Sequence, residues 1–336
     1  MALDVNVTIK LSEAAGRVGF GVPLILVSKA ASAIAYAEYS DLDELPDAGY
    51  AETSTAYKLF KLMKMQANKP KLIAVAQVTT KATEALAALS GKVRQIITVL
   101  GESGDSTQAE VAAYVETTDD MVYFPVVSAA SGLSAFVGLD RTFAGVHSAA
   151  TQDLAAAVVG ATAGMEAGSF TYKNIIVKGV TPDALSESDI NTIHNTSRSS
   201  SVGYGYTLQS KAGDIVTTEG KAASGEFLDI VDSFDWIIQN IGYSCQKALN
   251  SEPKLPYDNR GIGMLEAATN GVLKAADNMG IIAHDEADVP LFATDFGTRA
   301  EASAADRAAR VYNLGRFSFE LAGAVHTAEI NGAVTV

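Results

Sequence analysis

Ser224-Gly225-Glu226-Phe227-Leu228-Asp229-Ile230-Val231-Asp232-Ser233-Phe234-Asp235-Trp236-Ile237 opens the most strongly patterned stretch of the chain, residues 224–280. Ser224 stands where an N-cap belongs, and Glu226 and Asp229 fall in the first turns, where a helix dipole favours acids. Apolar side chains recur at Phe227, Ile230, Val231, Phe234, Ile237, Ile238, Ile241 and Cys245, a helical spacing with one wide buried stripe. Asp229, Asp232, Asp235, Gln239 and Lys247 fall on the other faces and read as a solvated or subunit-facing stripe. No His or Cys converges on these acids, so a metal site is not expected there. Pro253 and Pro256 stop the helix. A second helix starts near residue 260, capped by Asp258 or Asn259. Its stripe is Ile262, Leu265, Val272, Leu273, Ala276 and Met279, and Gly280 stands at its C-terminal end. Two amphipathic helices on a short Pro-containing loop predict an antiparallel pair.

Composition bounds the answer on either side of this pair. A chain of 336 residues holds two domains, or one large one with insertions. It carries 25 Lys and Arg against 39 Asp and Glu, a formal charge of −14. Phosphate backbones are bound through Lys and Arg, so nucleic acid is not an expected partner. The same charge holds free subunits apart at low salt and lets them associate as salt screens it. Cys245 is the only cysteine, so no intrachain disulfide forms, and its place on the stripe makes it a small core residue. No window approaches 18 uninterrupted apolar residues, and 1–5 lack a basic region, so neither a membrane span nor a signal peptide is expected. The product is expected to remain in the cytoplasm of the cell that makes it, at least until lysis.

At the N-terminus Leu3, Val5, Val7, Ile9 and Leu11 alternate with Asp4, Asn6, Thr8 and Lys10, a strand pattern. A polar connector, 12–19, follows in place of a tight turn. Burying the five apolar side chains gains roughly 7–15 kcal/mol, and ordering nine backbone residues costs about 9–18 kcal/mol. Such an arm needs a ready sheet edge, its own or a neighbour's. From 20 to about 210, strands and helices alternate. Strands are expected at 21–27, 33–39, 72–78, 95–100, 121–127, 141–146 and 174–177; helices at 51–67, 82–89, 107–115 and 152–165. Repeated β-α units with Val/Ile-rich strands predict an α/β layer domain with a mostly parallel sheet. Gly160 and Gly164 mark close helix packing. Asp41, Asp43, Glu44 and Asp47 make an acidic loop, but Pro46 occupies the turn an EF-hand would need, so calcium is not expected. Short strands at 202–207 and 214–218 return to the long helix. After the helix pair, 289–294 reads as a strand and 299–306 as a short polar element. Residues 311–321 alternate with Phe317, Phe319 and Leu321 on one face, and Ile330, Val334 and Val336 continue beyond, broken at Asn331-Gly332. Both ends of the chain are thus strand-like.

Catalytic motifs do not emerge. Gly101-Glu102-Ser103-Gly104-Asp105 follows a strand and precedes a helix, the setting of a nucleophile elbow, but that motif needs glycine where Asp105 stands. Gly16, Gly19 and Gly21 precede a strand instead of following one, the wrong context for a dinucleotide fingerprint. His147, His194, His284 and His326 are scattered. Only His284, beside Asp285, Glu286 and Asp288, has acidic company in sequence, and it reads as a loop histidine. No catalytic, cofactor-binding or metal-binding residue is assigned, and the chain is not expected to be an enzyme. Triads assemble in space and not in sequence, however, so an α/β enzyme or small-molecule-binding protein with internally paired end strands stays as the alternative.

Two stretches carry a family resemblance. Glu226-Phe227-Leu228-Asp229 and Asp235-Trp236-Ile237 in a long helix, followed by Lys254-Leu255-Pro256-Tyr257 and Gly261-Ile262, resemble the C-terminal part of contractile tail sheath proteins of phages and phage-derived bacteriocin particles. Gly179-Val180-Thr181-Pro182 and Leu185-Ser186-Glu187-Ser188-Asp189-Ile190-Asn191 resemble the middle of the smaller sheath proteins. The family often has a basic residue between the halves of the first motif. Val231-Asp232-Ser233-Phe234 stands there instead, and that charge is missing. The resemblance implies an α/β, overall α+β, architecture: a layered core with an inserted α/β region, a C-terminal helix pair and extended terminal arms. The expected parts are an exchange arm and linker at 1–19, an α/β region at 20–217, a C-terminal core at 218–316 and a strand arm at 317–336. It further implies a subunit that polymerises with itself in stacked hexameric rings around a tail tube protein, abuts baseplate and tail terminator proteins, and contracts to drive the tube through a bacterial envelope. Leu3, Val5, Val7, Ile9, Leu11, Phe317, Phe319, Leu321, Ile330 and Val334 are the expected strand-exchange residues. Glu226, Phe227, Asp229, Asp235 and Trp236 are the expected core motif. The particle would be a virion tail or phage-like device assembled in the host cytoplasm.

Overall fold

Leu24, Leu26, Ala74, Ala76 and Ile96 point to one face of a sheet, while Ile25, Ile73, Val75 and Ile97 point to the other. That two-sided burial follows from Val/Ile/Leu/Ala-rich strands with no polar face to spare. A computed structural model describes residues 21–101 and 104–326 of the chain. The expected strand residues Leu3, Val5, Val7, Ile9 and Leu11, together with Ile330 and Val334, lie outside them. Its first half comprises β1 (Val22–Val27), β2 (Ile34–Tyr39), α1 (Glu44–Asp47), α2 (Thr55–Lys64), β3 (Ile73–Gln77), α3 (Ala82–Ala87), β4 (Val93–Val99), α4 (Gln108–Glu116) and β5 (Val122–Tyr123). The sheet order is β2-β3-β1-β4-β5, with β1, β3, β4 and β5 parallel and β2 antiparallel at the edge beside β3.

Next come β6 (Val126–Val127), a 3-10 helix (Ala130–Phe136), β7 (Gly145–Val146), α5 (Asp153–Thr162), α6 (Glu187–Ile193) and the hairpin β8 (Leu208–Lys211) and β9 (Asp214–Thr217). The strand expected over 121–127 is broken at Pro125, which has no N–H for the ladder, and the chain passes there from pairing with β4 to pairing with β7. Those expected at 141–146 and 174–177 shrink to β7 and to single bridges at Thr142 and Ile176. The acidic loop closes into α1. Glu44 accepts hydrogen bonds from Ser40 N (3.0 Å) and Asp41 N (2.8 Å), so it caps the turn. Ser186 and Asp189 form a reciprocal capping box on α6, as Ser-x-x-acid spacing requires.

The C-terminal part is α7 (Leu228–Ser251), α8 (Asn259–Asn278), β10 (Phe292–Phe296), α9 (Ala304–Ala309) and β11 (Gly315–Phe319). The expected antiparallel helix pair is present, and Asp258 caps α8 by accepting from Arg260 N and Gly261 N, both at 3.0 Å. Ser224 does not cap α7. The chain turns at Gly225 (φ +100°), and Phe227 takes the N-cap position with no side-chain bond. Among the described residues β10 and β11 form a two-stranded antiparallel sheet, pairing Phe292 with Phe319 and Thr294 with Phe317. Leu321 bridges Ile282. Phe292, Phe317, Phe319 and Leu321 pack against Ile237, Ile241, Val272 and Leu273 of the helix pair. Phe317, Phe319 and Leu321, expected in the exchanged arm, thus lie against the helix pair of their own chain.

Helices α2 and α5 cross on one face of the large sheet, and Gly160 in α5 with Gly164 just beyond its end lets the two chain segments approach closely. A Cβ on Gly160 would lie 2.5 Å from the Met63 Cα, and one on Gly164 would lie 2.1 Å from the Asn68 carbonyl oxygen. Gly160→Ala is expected to lower stability in urea unfolding by about 1–3 kcal/mol through overpacking. Gly263→Ala in α8, whose Cβ would meet nothing within 4 Å, is the comparison. It should be neutral or stabilising by up to about 1 kcal/mol.

Candidate assembly junction

Arg94, the second residue of β4, is a charged side chain inside a Val/Ile-rich strand, and it is only 1% exposed. It lies at the end of the parallel sheet where the strands begin, and the first turns of α7 lie across it. Its guanidinium donates to Asp232 Oδ1 and, at 2.6 Å, to Asp235 Oδ2. Arg141 reaches the same Asp235 with both terminal nitrogens, at 2.7 and 2.8 Å. Tyr172 Oη donates to Asp232 Oδ2 at 2.6 Å. Two guanidinium groups and two carboxylates thus form a neutral, hydrogen-bonded cluster joining β4, the segment before β7 and α7. Burial opposes the Arg94 charge, but Asp235 and Asp232 outweigh it and hold its pKa above the ordinary value. Burial, then Asp232, push the Tyr172 hydroxyl well above its usual range.

This overturns the solvated acidic stripe. Asp232 and Asp235 are 3% and 5% exposed. Leu228, Asp232 and Asp235 are spaced i, i+4 and i+7 and share one face, but the helix has two buried faces. Its first turns present Leu228, Asp232 and Asp235 to the α/β layers, and from Ile237 onward it presents Ile237, Ile241 and Cys245 to α8 and the β10–β11 pair. Phe234, expected in the stripe, is 43% exposed. Asp229 is half-buried and its Oδ1 meets no donor among the described residues; burial pushes its carboxyl up to about 6. Glu226 is exposed and accepts from the Phe227 N–H, while Trp236 packs half-buried at the edge of the core that Ile237, Ile241 and Leu273 form. Phe227 meets His326 edge-on, with ring centroids 4.7 Å apart, and His326 Nε2 lies 2.8 Å from Thr171 Oγ1. The chain after β11 therefore returns to the start of α7. Sequence reading missed Arg94, Arg141 and Tyr172. Its available signal was a lone Arg in Val93-Arg94-Gln95-Ile96-Ile97, whose burial required an acid elsewhere.

At the opposite end of the sheet, where parallel α/β folds open a ligand crevice, a carboxylate of the chain itself takes up the loop amides. Asp105 accepts from Ser28 Oγ (2.5 Å), Gly101 N (2.7 Å), Ala82 N (3.0 Å) and Ser106 N (2.7 Å). Burial opposes its charge, but these bonds hold its pKa below the usual carboxylate value. The residue that breaks the nucleophile-elbow motif is thus the one that ties β1, β4 and α3 together; Glu102 and Ser103 lie outside the described residues. Cys245 is buried with its Sγ 3.7 Å from Thr269 Oγ1, a core residue as expected. No cluster of three metal-ligating side chains is found among the described residues, and no helix there is long and apolar enough to cross a membrane.

His284 departs from a plain loop histidine. Its Nδ1 lies 2.7 Å from Asp288 Oδ1 and its Nε2 2.6 Å from Asp277 Oδ1, so both ring nitrogens must donate and the ring is an imidazolium. Those bonds, Asp288 first, raise its pKa, whereas burial lowers that of His194, which meets Thr218 Oγ1 at 2.8 Å. A raised histidine stabilises the fold fully below the ordinary pKa of about 6.5, and the contribution is lost as pH rises through the higher folded value. In an NMR titration His284 should show a midpoint above that ordinary value, and His194 one below it. Arg94→Met, which leaves buried carboxylates short of a partner, should cost about 3–5 kcal/mol in urea unfolding. A loss under about 1 kcal/mol would mean that the cluster holds nothing together.

Comparison with known proteins closes the description. No protein-family model matches the sequence, and no curated protein matches it. Solved structures do. The helical sheath of the anti-feeding prophage (AFP) in its contracted state superposes with a TM-score of 0.70 at 12% identity, over 98% of this chain and 98% of that one. The sheath complex of the extracellular contractile injection system PVC, also contracted, gives 0.70 at 10% identity, over 96% and 95%. The sheath tail protein Lin1278 of Listeria innocua gives 0.56 at 9% identity, over 84% and 90%. From β1 to the region of β11, the chain has the fold of contractile tail sheath proteins.

Proposed function

We propose that this chain is the structural subunit of a contractile tail sheath. It would polymerise with itself as stacked six-fold rings around a tube protein, abut baseplate and terminator proteins, and contract to drive the tube through a bacterial envelope. The observation that carries the reading is the fold likeness over nearly the whole of both chains, α/β layers and C-terminal helix pair together. The two ends of the large sheet add to it. At one end Asp105 accepts from the loop amides that would face a ligand in an α/β enzyme, and at the other the Arg94 cluster joins the sheet to α7.

Strand exchange is part of the proposal. The β10–β11 sheet is two strands wide among the described residues, and isolated two-stranded sheets are marginal unless another element supports them. Helices α7 and α8 support one face, while the outer edges offer ladder positions for an extended strand. Residues 3–11, with Leu3, Val5, Val7, Ile9 and Leu11 on one face, have the pattern to fill such an edge in a neighbouring copy. The segment beyond Leu321, with Ile330 and Val334, is the second candidate. Persistent main-chain ladders would then let subunits rotate past one another while the linker at 12–19 bends.

Light scattering with rising salt, followed by negative-stain microscopy, tests the reading. Rings or long hollow tubes are expected; a small closed oligomer at every salt concentration would return the chain to the α/β enzyme class. Deleting residues 2–12 should leave a folded, soluble monomer that forms no tubes. A truncated chain that cannot fold would instead make the first strand part of its own core.

A further inference from the structure

The acids of this chain are spread widely, yet none occurs between residues 53 and 83. That stretch holds α2 and the loop behind it. Lys58, Lys61 and Met65 lie at i, i+3 and i+7 on the exposed side of the helix, and Lys69, Lys71 and Leu72 continue the surface in the loop. Met65 is 48% and Leu72 38% exposed, so two apolar side chains sit within a rim of ammonium groups. Lys178 joins the rim from another part of the chain: Gln66 accepts from its N–H and donates to its carbonyl, each at 2.9 Å.

This surface is built to be rigid. Half-buried Lys64 turns away from it and donates to the carbonyls of Pro70 (2.9 Å) and Lys71 (2.8 Å), closing the loop on the helix end. Asp41 and Glu44 face that buried ammonium. From behind, Gly164, just past the end of α5, brings its backbone against the Asn68 and Lys69 carbonyls, and Gly179 lets the chain pass the Met65 sulfur. A surface ordered before binding gives up little conformational entropy when it is covered.

We infer that this lysine-rimmed surface docks against an acidic face of a second copy of the chain. The inference rests on the proposed homopolymer, and charge decides the occupant. With a net charge of −14, copies repel at long range, and close packing requires that the few basic surfaces meet acidic ones. A polyanion such as nucleic acid would gain from the rim but meet repulsion over the rest of the molecule. An apolar centre within a charged rim is also the layout of protein–protein contacts.

Carbodiimide coupling, which joins an amine to a carboxylate in contact, tests this on the intact protein. Light and isotope-labelled copies are mixed under conditions where scattering shows association, and coupled peptides are read by mass spectrometry. Mixed-isotope links from Lys58, Lys61, Lys69 or Lys71 to an Asp or Glu are expected. Association without such links overturns this inference and leaves the sheath reading standing; absence of any association sinks the sheath reading. A second arm compares Lys61→Glu/Lys69→Glu with Lys254→Glu/Lys274→Glu, which changes net charge equally at exposed positions elsewhere. The first pair should raise the protein concentration needed for assembly by at least about tenfold over the second. Equal effects would mean that only net charge matters and would overturn the docking surface.

Discussion

Removing Arg94 from water is tolerable only because Asp232, Asp235, Arg141 and Tyr172 converge on it or its partners. An unpaired charge at that depth would cost several kcal/mol, so the cluster ties two parts of the molecule into one geometry. On one side is the parallel sheet, entered through β4; on the other is α7, whose far half carries α8 and the β10–β11 hairpin. Because α7 spans both, the orientation of the C-terminal unit relative to the layers is set by a directional, charge-balanced contact. An apolar contact of the same area would let the helix slide or roll at little cost. For a subunit proposed to endure large rearrangements between rigid bodies, a directional joint inside the body is what keeps it rigid.

The two ends of the sheet show the same economy. In many α/β proteins the strand C-termini open onto a ligand, with helix N-termini and loop amides aimed at an anion. Here those amides, Ala82 N and Gly101 N, are satisfied by the carboxylate of Asp105. A carboxylate of the chain thus occupies the place that an anion takes at such amides. The layer packing is shared with solved sheath proteins at 9–12% identity.

Elements were legible in the sequence wherever one partner covers one face. Strands β1 to β4, α2, α4, the helix pair and a cap at Asp258 or Asn259 all follow from period, cap and breaker residues. The close approach at Gly160 and Gly164 was legible for the same reason: two small residues one turn apart have few other uses. Legibility failed where two partners compete for one element. Along α7 the apolar period continues through Phe234, which is left exposed, and Asp232 and Asp235 look like solvent residues because their arginines lie about 90 to 140 positions away. Phe317 and Phe319 alternate as any exchangeable strand would; only the packing of Phe292, Phe317 and Phe319 onto Ile237 and Leu273 assigns β11 to its own chain.

By itself, then, the sequence determined the alternation of strands and helices, the terminal helix pair, the acidic charge and the lack of a contiguous catalytic motif. These depend on local spacing and composition, which any stretch of ten to twenty residues displays. Only the tertiary structure decided which acids are buried, what fills the crevice at the strand ends, and which lysines share one rigid surface. Those outcomes depend on groups far apart in the chain meeting at hydrogen-bond distance, and on the desolvation that makes each such meeting compulsory.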